Sequence, residues 1–105
     1  MNWFYLIIAG LFEIGWPLGL KLSQTMSSKL LGFTLALISI ILSTIFLWLA
    51  QKSIPIGTAY AVWTGIGAVG TLIVGIVFFG DSASLLRMLS ALLIIIGIVG
   101  LKLAH

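Results

Sequence analysis

The chain has 105 residues, 62% of them hydrophobic and only 7% charged, with a net charge of +3. A water-soluble domain carries about 25% charged residues, so too few polar groups exist here to cover a surface in water, and a mean hydropathy of +1.35 assigns the chain to a membrane. Cysteine is absent and the one histidine is His105, which excludes disulfides and a metal centre built on several ligands.

No cofactor is expected. The five Lys and Arg residues form no basic run, which points to lipid headgroups rather than nucleic acid. Four apolar segments account for nearly everything: 2–21, 30–51, 56–79 and 85–103. Each is near the ~20 residues an α-helix needs to cross the hydrocarbon core. The segments are apolar all round, without the period-two alternation of a membrane barrel. The fold class is therefore all-α integral membrane, with four transmembrane helices forming a single domain over 1–105.

The first segment, MNWFYLIIAGLFEIGWPLGL, is read as retained, because no Lys or Arg precedes its apolar run and it contains Glu13. Glu13 is one of two acidic residues in the chain. Hydrocarbon cannot solvate a carboxylate, and ionisable residues within membrane segments mark ion or proton pathways by default. Residues three, four and seven apart share a helix face, and that face here reads Ala9, Gly10, Glu13, Trp16, Pro17. Small residues leave space before Glu13, and Trp16 supplies an aromatic wall for a cation. The competing reading is a glutamate that only holds helices together, with Trp16 as an interfacial anchor. Pro17 removes the backbone bond to the carbonyl of residue 13. A bend is expected there, with that carbonyl either serving the site or satisfied by a neighbour.

The stretch SQTMSSK (23–29) is polar and reads as a break. Helix 2 carries Ser39 and Ser43 below Gly32 and Ala36. Ser43, at a depth like that of Glu13, is the site candidate, although a buried serine often bonds its own helix. Pro55 and Gly57 in QKSIPIG end one helix and begin the next. Helix 3 presents Tyr60, Trp63, Thr64, Gly67 and Thr71 on one face. Tyr60 and Trp63, one turn apart, are site candidates, whereas Gly65, Gly67 and Gly70 read as close helix packing. GDSAS (80–84) offers Asp81 or Ser82 as the N-cap of helix 4. Gly97 and Gly100 of that helix read as dimer packing. Lys21, Lys29, Lys52, Arg87 and Lys102 all fall at segment ends as anchors.

Four crossings put both termini on one side, with Lys52 and Lys102, joined by His105 only when it is protonated. Lys21, Lys29 and Arg87 lie on the other. Two against three barely orients the chain. One marginal charge sets a fixed orientation, or the chain inserts both ways and pairs with an inverted copy. The small size favours the second, which recreates the inverted repeats of larger transporters.

The glutamate in AGLFEIGWPLGLK, the run IPIGTAYAVWTGIGAVG and the ending GIVGLK resemble the small multidrug resistance family over essentially the whole chain. Trp16, Lys21 and the helix 3 run resemble its guanidinium-exporter subtype. The resemblance implies an antiparallel, dual-topology homodimer in the bacterial plasma (inner) membrane, surrounded by lipid. Guanidinium-type cations and protons are its implied partners, competing for the paired Glu13 carboxylates in alternating-access antiport. Trp16, Ser43, Tyr60 and Trp63 line the implied site, with Gly10 near the substrate. Pro17 departs from the subtype, which more usually has a small residue there. A roomier pocket there would admit substituted guanidinyl compounds such as guanylurea or biguanides. Two rivals keep the same fold: a broad exporter of quaternary ammonium ions, and one subunit of a heterodimeric pair. An enzyme is not expected, since no nucleophile–base pair or phosphate loop is present.

Overall fold

The computed structural model describes residues 2–25 and 27–104. His105, counted above with the terminal side, lies outside them. The chain folds into four helices, α1 (Asn2–Thr25), α2 (Lys29–Ala50), α3 (Ile56–Phe79) and α4 (Leu85–Ala104). Each is long and apolar enough to cross a membrane.

Helix ends follow local chemistry. α1 runs without a break through Pro17 and on to Thr25, past the polar stop expected at residue 21. The hydroxyls there bond back to their own helix: Ser23 Oγ donates to the Leu20 carbonyl at 2.6 Å and Thr25 Oγ1 to the Lys21 carbonyl at 3.3 Å. Their polarity is satisfied inside the helix, so it does not end it. Ser28 then caps α2, accepting from the Leu31 N–H at 3.4 Å. α3 has the predicted bounds, with Pro55 as its N-cap and Gly80 as its left-handed C-cap (φ 71°).

The expected cap of α4 is corrected. Ser84 takes that role, its Oγ accepting from the Arg87 N–H at 3.3 Å. Asp81 is instead tied back to α3 by its own N–H, which donates to the Gly75 carbonyl at 3.0 Å. The left-handed turn at Gly80 sends the chain back over α3, leaving Asp81 too far before the first turn of α4 to cap it.

Small residues set the packing. A Cβ on Gly19 would lie 2.7 Å from the Ala36 nitrogen and 2.8 Å from the Gly32 carbonyl oxygen, so α1 and α2 meet backbone to backbone. Close approach of this kind replaces the hydrophobic drive that is missing between helices in lipid. α3 lies against α1, and α4 rests its backbone on α3 alone. Leu6, Ala50, Ile54, Ala59 and Val62 form the buried cluster. Asn2 Nδ2 donates to Ser53 Oγ, tying the start of α1 to the α2–α3 link. The Lys52 ammonium lies 4.5 Å over the Trp48 ring and that of Lys102 5.5 Å over Trp3, as cations at helix ends do. In α4 only Ala91 is buried among the described residues. A Cβ on Gly97 or Gly100 would meet nothing within 4 Å.

Candidate functional site

Glu13 sits midway along α1, half-buried. One turn on, the Trp16 Nε1–H donates to Glu13 Oε1 at 2.7 Å. The spacing of three residues brings the two side chains to one face, so this pair is a local product of the sequence. The indole fixes one carboxylate oxygen; Oε2 accepts no hydrogen bond from the described residues.

The opposite wall comes from α3. Gly67 faces the stem of Glu13, and a Cβ there would collide with Glu13 Cγ and lie 3.1 Å from its Cβ. Glu13, Trp16, Pro17, Thr64, Gly67 and Thr71 line a cavity of about 290 Å³. Its lining holds one carboxylate, two hydroxyls and no Lys or Arg. Such a lining favours a small cation, since the charge of Glu13 is opposed by nothing nearby of the same sign as the ligand. No group of three His, Cys, Asp or Glu side chains clusters among the described residues.

A second polar chain is built from residues outside this lining. The Trp63 Nε1–H donates to Ser43 Oγ at 2.8 Å, and the Ser43 hydroxyl donates to the Ala9 carbonyl at 2.7 Å. Ser43 is buried and bonds across to α1 rather than back along α2. The chain therefore joins three helices through one hydroxyl. Tyr60 stacks obliquely on Trp63, with ring centroids 5.5 Å apart and planes at 53°, while remaining exposed.

The candidate residues thus form two groups within the chain. Glu13 meets Trp16, and Ser43 and Tyr60 each meet Trp63. Gly10 is buried, with Ile66 packed over it so that a Cβ would lie 2.7 Å from that of Ile66. Thr64, Gly67 and Thr71 were legible as a helix 3 face but not as partners of Glu13. Gly67 read as packing alone. Its share of the Thr64–Thr71 face was the available signal.

Known proteins match this chain along its whole length. A family model described as Small Multidrug Resistance protein matches residues 1–103. A protein named Guanidinium exporter from Yersinia pseudotuberculosis serotype I (strain IP32953) is 56% identical over 104 residues, covering 99% of each chain. A protein of the same name from Escherichia coli (strain K12) is 50% identical over 104 residues, covering 99% of this chain and 98% of its own. Another from Proteus vulgaris is 49% identical over 104 residues, covering 99% of each.

Proposed function

This chain belongs to the Small Multidrug Resistance family, as a transporter rather than an enzyme, and we propose that it exports guanidinium or small substituted guanidinyl cations in exchange for protons. The observation that carries this reading is the Glu13 cavity, which sets one carboxylate midway along α1 in a lining free of Lys and Arg. The names of relatives at 49–56% identity support the substrate class.

The geometry supports a mechanism of competitive exchange. Trp16 holds Oε1 and so orients the carboxylate. A guanidinium ion is planar and presents paired N–H donors that match a carboxylate. The hydroxyls of Thr64 and Thr71 accept from its remaining N–H groups. A proton and a cation each neutralise the same carboxylate, so binding one expels the other. The site changes the side to which it opens while it holds either protons or the cation, so inward protons drive outward cations. The titrations belong to the pair rather than to either Glu13.

The pair arises in an antiparallel, dual-topology homodimer in the bacterial inner membrane. The open flank of α4, with Gly97 and Gly100 uncovered and only Ala91 buried among the described residues, supports a helix–helix contact with a second copy. Ser43, Tyr60 and Trp63 complete the site around the two glutamates, and Gly10 adjoins it once Ile66 moves aside. Pro17 lines the cavity and shapes the side where a substituted cation such as guanylurea or a biguanide would extend.

The test is the current evoked by guanidinium, guanylurea and tetrapropylammonium in proteoliposomes, with and without Glu13→Gln. The expected result is guanidinium current that the substitution abolishes. Current with tetrapropylammonium alone would move the chain to the quaternary-ammonium exporters. Proton-coupled current retained in the variant would overturn the role of Glu13.

A further inference from the structure

The second acid of the chain has a place in the fold that its sequence position does not suggest. Asp81 does not cap α4. Gly80 turns the chain back at φ 71°, the Asp81 N–H bonds the Gly75 carbonyl at 3.0 Å, and its carboxylate packs over Gly75, where a Cβ would collide with Oδ2. This lays the carboxylate against α3, in the wall of a cavity of about 230 Å³ between α1 and α3. Lys21 lines the same cavity. Pro17 and Thr71 line both this cavity and the one that holds Glu13. The two spaces are therefore neighbours that share a wall, with an exposed acid at the outer one and a half-buried acid at the inner one.

We propose that Asp81 is an outer station for the transported cation, binding guanidinium-type ions weakly at the membrane surface and passing them over Thr71 to Glu13. Lys21 competes with the incoming cation for Asp81, which keeps the station weak and lets its occupant leave. Thr71 offers a hydroxyl oxygen midway. In an antiparallel pair each face of the membrane presents one such station. The proposal rests on guanidinium export as read above.

The experiment measures guanidinium-evoked current against concentration in proteoliposomes at low and at high salt, for the wild type, Asp81→Asn, Asp81→Glu and Lys21→Gln. Exposed charges act over about 10 Å at 0.1 M salt and about 3 Å at 1 M. Asp81→Asn is expected to raise the KM about three- to fivefold at low salt, with the maximal current kept and the difference lost at about 1 M. Lys21→Gln is expected to lower the KM, and Asp81→Glu to restore it. An unchanged KM in Asp81→Asn at low salt overturns the station. A fall in maximal current at all salt concentrations, unrescued by Asp81→Glu, also overturns it and makes Asp81 structural. Wild-type protein that passes no guanidinium current refutes the export reading itself, and the station with it.

Discussion

Gly67→Ala isolates the contact between α3 and the Glu13 carboxylate. The added Cβ would collide with Glu13 Cγ and stand 3.1 Å from its Cβ and 3.7 Å from its Cδ. The stem of Glu13 must retreat by about 1 Å, and a displacement of that size at a reacting group costs about 100-fold in rate. The fold is affected less. Overpacking costs about 1–3 kcal/mol, and replacing a helical glycine returns about 0.5–1 kcal/mol. Net stability should therefore fall by about 2.5 kcal/mol at most. The variant is expected to insert and purify normally, while guanidinium current falls about 10- to 100-fold. The indole resonance of Trp16 should shift as its bond to Glu13 distorts. Gly57→Ala is the control, since a Cβ there meets nothing within 4 Å. Wild-type currents in Gly67→Ala would refute the view that α3 positions Glu13.

Three further substitutions separate orientation from stability. Trp16→Phe keeps an aromatic ring and deletes the N–H that holds Oε1; the current should fall about tenfold, with the thermal midpoint in detergent little changed. Ser43→Ala removes the acceptor of the Trp63 indole and the donor to the Ala9 carbonyl. Leaving a buried donor unpaired costs about 1–3 kcal/mol, which thermal unfolding in detergent should register as a lower midpoint. Gly19→Ala drives a methyl against the α2 backbone at Ala36 and Gly32, which cannot rotate away as a side chain can. It should destabilise by about 1–3 kcal/mol, and more than Gly57→Ala does in the same assay.

What the sequence revealed depended on how local each signal was. Pro55 and Gly80 punctuate α3, and its bounds match the predicted ones. The Glu13–Trp16 pair follows from a three-residue spacing on one helix, which the sequence displays directly. The end of α1 misled because Ser23 and Thr25 look like loop residues, yet their hydroxyls bond back to the helix. The cap of α4 misled because Asp81 lies in a capping sequence, while the left-handed Gly80 redirects it to α3. Contacts between helices were the least legible. The spacing of helix 3 puts Gly67 on the Thr64–Thr71 face without saying that this face meets the Glu13 stem, and the spacing of helix 2 does not say that Ser43 bonds to α1. Both depend on how closely the small-residue seams let the helices approach.

The central claim is that a proton and a guanidinium ion displace one another at Glu13. Proton release on guanidinium addition, followed with a pH indicator in weakly buffered detergent solution, tests it most directly. The account predicts release from the wild type. It also predicts apparent guanidinium affinity that weakens as the pH falls, by up to about tenfold per pH unit where one proton competes, and no release from Glu13→Gln. Guanidinium binding to the wild type with no proton released, and with an affinity independent of pH, would contradict it.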